Sequence, residues 1–455
     1  METAGRRVLV VGLGVSGFAA ARVLAGMGAR VRVTEAADSP SLRARAESLR
    51  ALSVEVEIGG HSLEHMECDF AVVSPGIPPH APVMQALRAS GAEILSEVEL
   101  AYRIASCDFL AVTGTNGKTT TTSLLAAMLE RSGRPAVAAG NIGVPLIEAV
   151  SALGGEGAVA LEVSSFQLET SSQFHPKVAV LLNIAEDHTD WHGSVESYVR
   201  AKARITMNQD HEDVFVYNAD DDACVKIAAS SRARLIPFSA TRVPRDGAGY
   251  SGGSLVCGGT EVVTCADVPL SGKAGLEDVA AAAAAAIAYG VDVGEVAAAV
   301  RGFRPLAHRL ELIAELSEVS FFDDSKATNP HATTAAVQGM EDVVLIAGGR
   351  SKGMDLSVLA KVVPPVRAVV AMGEAADEVV KVFDGLVDVR RASNMEEAVA
   401  HAYDMAKGRG SVLLSPGCAS LDMYESYAAR GEHFARCVRQ LAGEQRERED
   451  SHGDA

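Results

Sequence analysis

FLAVTGTNGKTTTTSLLAAMLERSG, residues 109–133, decides the fold of this 455-residue chain. An apolar run ends at Thr113, a glycine-bounded turn follows, and the apolar spacing then switches to a helical period. Strand, turn and helix in this order make a phosphate cradle from Gly114, Thr115, Asn116, Gly117, Lys118, Thr119 and Thr120. Backbone N–H groups wrap the phosphates, Lys118 reaches the outer oxygens, and the Thr119 hydroxyl can ligate magnesium. Val112 stands where the longer form of this motif has its first glycine, so the match is to the shorter GxxGKT spacing.

Downstream, EVSSFQLE (162–169) closes a strand with the carboxylate Glu162, and NIAEDHTDWH (183–192) closes another with Asp187 and His188. Hard oxygen donors beside a phosphate loop suit magnesium, whereas His next to Asp also suits zinc. Upstream, Arg7 to Val11 is a short strand, GLGVSG (12–17) has the GxGxxG spacing, and a helix and the strand ending in Glu35 follow. That opening unit brings helix amides to a diphosphate and a carboxylate to a ribose hydroxyl. By itself it also fits a nicotinamide-dependent dehydrogenase, or merely a tight turn, but such an enzyme would leave GTNGKTT unexplained. A boundary is expected near Ser96 and another near Pro305, where proline breaks a helical pattern. Beyond it, DDSKATNP (323–330), GGRSKG (348–353) and SPGCASLDMY (415–424) are polar loops at strand ends, and in an open α/β sheet such loops gather at the carboxyl edge. The Gly-rich stretch from Thr241 to Thr260 reads as a surface hairpin with little core, Leu276 to Tyr289 as an alanine-rich helix, and the last dozen residues as a charged tail.

The charge of −18, from 41 Lys plus Arg against 59 Asp plus Glu, repels nucleic acid, and no local basic patch offsets it. The longest apolar run, Val279 to Ala288, falls well short of the ~20 residues that span a bilayer. Seven scattered cysteines without a CxxC fit reduced thiols, and so a cytoplasmic setting.

Taken together in this order, GLGVSG, SPGIP, GTNGKTT, GNIG, EVSSFQLE, NIAEDHTDWH, YVRAKARI, HR, DDSKATNP, GGRSKG and SPGCASLD resemble the Mur ligases, ATP-dependent amino-acid ligases of peptidoglycan synthesis. SSFQLE, DSKATN and SPGCASLD point within that family to a member adding D-glutamate. The resemblance implies an α/β fold of three domains: Rossmann-like at 1–96, P-loop ATPase-like at 97–304, and Rossmann-like again at 305–455. It reassigns the first glycine motif to UDP-N-acetylmuramoyl-L-alanine, with Ser16, Glu35, Gly76, Asn141, Gln167 and His188 around that substrate. It places ATP on residues 114–120 with Arg309 and Asp324, and D-glutamate on Lys326, Thr328, Lys352, Ser420, Leu421 and Tyr427. Lys118, His188, Lys202 and Lys326 become the catalytic set. Two magnesium ions are implied, one on Thr119 and Glu162, the other on His188 and Lys202, with Lys202 carbamylated. Ala274 and Gly275 depart from the family's usual His-Asn on the adenine side. The resemblance further implies a cytoplasmic monomer whose third domain closes over the second. Another Mur-type ligase, or the folylpolyglutamate ligases that share GTNGKT, stays open as an alternative.

Overall fold

The computed structural model describes residues 1–63, 66–270, 272–338 and 340–453; the side chains of Asp190 and of 444 onward lie outside the described residues. Three sheets carry the chain. The first is parallel, with β1 (Arg7–Val11), β2 (Arg30–Glu35), β3 (Glu55–Ile58), β4 (Phe70–Val73) and β5 (Glu93–Ser96) in the order β3-β2-β1-β4-β5. Val8, Leu9, Val10 and Val11 of β1 are all buried, because helices cover both faces and every position needs an apolar side chain. Gly17 lets the following helix, Val15–Gly26, start tight against the turn: a Cβ at that position would stand 2.0 Å from the Gly12 carbonyl oxygen.

The second sheet has nine strands: β6 (Asp108–Thr113), β7 (Ala136–Gly140), β8 (Ala158–Glu162), β9 (Val178–Leu181), β10 (Val214–Asn218), β11 (Arg234–Phe238), β12 (Ala248–Ser251), β13 (Ser254–Cys257) and β14 (Thr260–Thr264). They run β14-β13-β12-β11-β10-β9-β6-β8-β7. The Gly-rich stretch is therefore no coreless excursion. Its hairpin, β12 and β13, joins the end of this sheet and buries Ala248, Leu255 and Cys257, and β14 beyond it pairs antiparallel with β13 and buries Val262 and Val263. The alanine-rich helix begins earlier than its apolar run, at Gly272.

In the third sheet β15 (Glu311–Leu316), β16 (Glu318–Asp323), β17 (Val343–Gly348), β18 (Val366–Met372), β19 (Asp388–Ala392) and β20 (Arg409–Leu414) are ordered β15-β16-β20-β17-β18-β19, with only β15 antiparallel to its neighbour. The expected charged tail continues the last helix, which runs from Tyr427 to Gly453. No helix among the described residues is long and apolar enough to cross a membrane.

The chain divides into two compact units. One holds Met1–Ile184, Glu196–Val268 and Glu277–Phe303; the other holds Ala185–Val195, Pro269–Leu276 and Arg304–Ala455. In the first unit a single apolar cluster runs from Val8 and Leu24 through Leu100 and Phe109 to Phe174 and Phe215, so the first two sheets share one core. In the second unit, separate clusters pack on the two faces of the third sheet.

Candidate active site

In the first unit, β6 delivers the turn 114–117 into the helix Lys118–Arg131. Gly117 caps that helix in the left-handed region at φ 83°, and a Cβ there would meet Asp278 Oδ1 at 2.2 Å. Asn183, at the end of β9, holds the turn from outside: its side-chain oxygen accepts from Asn116 N at 2.8 Å and its carbonyl from Thr115 N at 3.0 Å. Lys118 Nζ donates to the carbonyls of Gly114 (3.0 Å) and Thr115 (2.9 Å).

Lys202 reaches the same turn from the helix Val195–Ala203. It is 1% exposed, donates from Nζ to Gly114 O at 2.7 Å, and lies 4.6 Å from the centre of the Tyr198 ring. Tyr198 OH is in turn 3.1 Å from Thr115 Oγ1. Thr120 is buried; Thr119 is half-buried.

Glu162 closes β8 directly beside β6, where Val112 is its register partner. It is 2% exposed. One carboxylate oxygen accepts from Asn141 Nδ2 at 2.7 Å, and the other, Oε2, is buried with no partner. A buried carboxylate oxygen with nothing to accept is costly, and a cation at that point removes the cost. The donor set therefore fits a divalent ion. Gln167 is also buried, but its amide oxygen serves as a helix cap for Ser164, accepting from the Ser164 N–H and hydroxyl at 2.9 Å each.

The glycine turn of the first sheet is pinned by Glu35, which accepts from Leu13 N at 2.7 Å and Ala37 N at 2.9 Å. Ser16 sits half-buried in the first turn of the following helix, and Gly76 is exposed in the loop after β4. Arg45 was not anticipated; its guanidinium donates to Leu13 O at 3.0 Å.

In the second unit, β16, β20 and β17 are adjacent and parallel, so their three polar loops leave the same sheet edge. Backbone bonds lace them together: Asp324 N to Leu414 O, Gly417 N to Ala327 O, Gly348 N to Pro416 O, and Arg350 N to Ala419 O, all at 2.8–3.0 Å. Lys326 Nζ sits 3.7 Å from the Tyr427 ring centre, and that ring meets His308 edge-on at 6.2 Å. Burial pushes the Asp324 carboxyl up to about 7, opposed by the Ser415 hydroxyl at 2.7 Å and by the charge of Arg309. Asp323, fully buried, is also raised by burial despite bonds from His308 Nδ1 and Ser325 N. Arg430 was missed by the sequence reading. It is buried beneath these loops, bonded to Ser325 and to the Cys418 carbonyl, and burial lowers it to about 10.

Ser420 is buried, Thr328 half-buried, and Leu421 58% exposed. Lys352 lies in the glycine-flanked turn after β17 at φ 54°. His188, also left-handed at φ 54°, follows the buried Asp187, which Asn329 Nδ2 approaches at 3.2 Å. Residue 275 is confined: a Cβ there would stand 2.8 Å from Leu270 Cβ, so the family's asparagine does not fit this backbone without a shift.

Three family matches cover most of the chain: Mur ligase MurD-like, N-terminal domain, at 6–96; Mur ligase middle domain at 112–286; and Mur ligase, glutamate ligase domain, at 308–418. A protein of Desulfosudis oleivorans named UDP-N-acetylmuramoylalanine--D-glutamate ligase is 42% identical over 448 residues, 97% of this chain and 98% of its own. One of the same name from Frankia casuarinae is 43% identical over 451 residues, 97% of this chain and 95% of its own. Among solved structures, a pseudomurein peptide ligase type C from Methanothermus fervidus superposes with a TM-score of 0.63 at 18% identity, over 96% of this chain and 100% of that one. The UDP-N-acetylmuramate-alanine ligase of Thermotoga maritima gives 0.61 at 18%, with the same coverage. At such identities the two structures speak for the fold alone. With its phosphate turn, unpartnered acidic oxygen and laced polar loops all set in a fold those relatives share over their full length, the chain belongs to the Mur ligase family.

Proposed function

We propose that this protein joins D-glutamate to UDP-N-acetylmuramoyl-L-alanine at the expense of ATP, in peptidoglycan synthesis. A carboxylate is a poor electrophile because its charge repels an amine. Transfer of the γ-phosphoryl group to the alanyl carboxylate makes an acyl phosphate and ADP. The neutral amine of D-glutamate then attacks the acyl carbon, phosphate leaves with the electron pair of the C–O bond, and the amine proton passes to solvent.

Lys118 and the amides of 114–120 bind and orient the phosphates, as positioning and charge are most of what phosphoryl transfer needs. Thr119 and Glu162 would hold one magnesium ion, and His188 with a carbamylated Lys202 a second. When bound, magnesium neutralises phosphate charge and polarises the transferring group. Carbamylation, the addition of carbon dioxide to the neutral amine with loss of a proton, would give Lys202 two oxygens sharing one negative charge while its nitrogen keeps one N–H for the Gly114 carbonyl. Ser16, Glu35, Gly76, Asn141 and Gln167 belong to the nucleotide-sugar side in this reading. Lys326, Thr328, Lys352, Ser420, Leu421 and Tyr427 belong to the D-glutamate side, and Arg309 and Asp324 complete the ATP site. Domain limits at 96/97 and 304/305 follow from the same assignment, as does a monomer working in the cytoplasm, which suits its seven free thiols.

The observation that carries the reading is the unpartnered Oε2 of Glu162 beside the strand that feeds the phosphate turn. Phosphate release measured with UDP-N-acetylmuramoyl-L-alanine and a panel of amino acids tests it. Stimulation by D-glutamate alone is expected; stimulation by L-alanine, a diamino acid or a folate substrate instead would overturn it.

A further inference from the structure

Three groups of His, Cys, Asp and Glu with donor atoms within 4.8 Å of one another lie among the described residues. Two are closed by the protein itself. Around His175, Asp210 and Asp213, the Lys177 ammonium already stands 3.2 Å from Asp213, which also accepts from Asp210 N. Around His308, Glu311 and Asp323, the carboxylates accept from the His308 ring and from backbone N–H groups of His308 and Ser325, within the site already described.

The third group, Glu396, His433 and Cys437, differs in chemistry because it alone contains sulfur. His433 and Cys437 are one helical turn apart on the last helix, so they share a face. Glu396 lies in the first turn of the helix Met395–Ala406, which packs against it. His433 Nε2 is 3.0 Å from Glu396 Oε1, and the other ring nitrogen, Nδ1, is 3.0 Å from Tyr424 OH. Burial pushes the Tyr424 phenol up to about 12, so it remains a neutral hydroxyl. A histidine anchored through one nitrogen while the other meets a carboxylate has the outer-partner arrangement of a metal ligand.

We propose that Glu396, His433 and Cys437 form a binding site for a zinc-class divalent cation that clasps the last helix to the helix Met395–Ala406. Tetrahedral arms of ~2.0–2.3 Å set such donors about 3.3–3.8 Å apart. The His433–Glu396 pair opens by a few tenths of an ångström and the thiol closes by up to about 1 Å, within reach of side-chain rotation. The ion takes the thiolate of Cys437, the carboxylate of Glu396 and the neutral imidazole of His433. Its double charge is balanced by two anions, and the thiol proton is released to solvent. Glu396 is exposed and the other two are half-buried, which leaves the fourth position to water. Because the thiolate is the ligand, binding is coupled to loss of the Cys437 proton and tightens as pH rises. Magnesium prefers all-oxygen donors and does not compete.

Cobalt(II) titration of the full-length protein in saturating magnesium reads the site without reference to turnover. One ion per chain is expected, with the near-ultraviolet charge-transfer band of a thiolate ligand. Cys437→Ser should abolish the band, and Cys437→Ser and His433→Ala should each weaken binding by more than the ~10–100-fold that loss of a ligand's outer partner costs. Glu396→Gln, at an exposed position that does not threaten folding, should weaken it in the same direction, and zinc should raise the melting temperature of the parent alone. A titration without the band, or one unchanged in Cys437→Ser, overturns the site. Zinc-free Cys437→Ser assayed in saturating magnesium should retain the parent's amino-acid-stimulated phosphate release, so failure of the site and failure of the ligase reading give different results.

Discussion

Glu162 is where the chemistry presses hardest on a single side chain. Replacing it with Gln keeps the bond to Asn141 but removes the anionic oxygen that has no partner. Phosphate release should fall about 10²–10³-fold, the scale of losing one preorganised electrostatic group, while the melting temperature stays within a few degrees. Activity within threefold of the parent would exclude Glu162 from the site. Lys202 calls for a different measurement. Activity should drop in buffer stripped of carbon dioxide and return with bicarbonate, and Lys202→Arg should stay inactive, since guanidinium does not take up carbon dioxide. Indifference to bicarbonate would remove the carbamate. Lys118 and Glu162 were legible in the sequence because each ends or follows an apolar strand. Asn183, Tyr198 and Asp278 were not, because their contacts with the phosphate turn or its helix cross 67, 83 and 157 residues of chain. Spacing within a motif says nothing of partners so distant.

The helix Glu97–Ile104 carries two buried carboxylates two positions apart whose environments act in opposite directions. Burial pushes Glu97 up to about 7; it accepts from Ile147 N at 2.8 Å, and its second oxygen has no partner. Glu99 is opposed by the same burial, but N–H groups of Ser172, Gln173 and Phe174 and the Arg103 guanidinium outweigh it, and its carboxyl is lowered. Between about pH 4.5 and 7 the folded chain keeps a proton on Glu97 that the unfolded chain has released. Stability contributed there is present in full below that window and is lost as pH rises through it, by up to about 3 kcal/mol. Chemical denaturation should show Glu97→Gln more stable than the parent at pH 8 and close to it at pH 4.5; a constant difference across that range would contradict the argument. Glu99→Gln should destabilise at pH 8 by about 2–4 kcal/mol, because three amides lose an ionic acceptor and Arg103 loses one of its two counter-charges, the other being Glu93 at 2.8 Å. At this scale, strands that are buried on both faces, such as β1, β6 and β17, were legible as unbroken apolar runs. Hidden were β15 and β19, the edges of the third sheet, where the polar and exposed residues of ELIAEL and DVRRA break the apolar pattern.

Across the whole molecule, the glycine turn and the phosphate turn hang from different sheets. Lys118→Ala should abolish turnover by at least ~10³-fold while the affinity for the UDP-sugar, read by calorimetric titration, changes less than about threefold. Equal loss of both would mean that one loop serves both ligands. The order of sheets and the carboxyl-edge gathering of the last three loops could be read from the sequence, since both follow from strand-then-loop-then-helix order. Of the meander β12–β14 only the hairpin could be read; its buried side and its place at the end of the second sheet could not, because its glycines mask short alternating strands. The apolar cluster common to the first two sheets has a practical meaning for anyone cutting the gene. A fragment stopping at residue 96 would lose Val98, Leu100 and Ala101, which belong to the same apolar cluster, so both pieces would expose apolar surface and neither should express as a well-behaved protein. The shortest piece carrying both glycine-rich turns in native form should be the one that keeps those two sheets in a single open reading frame.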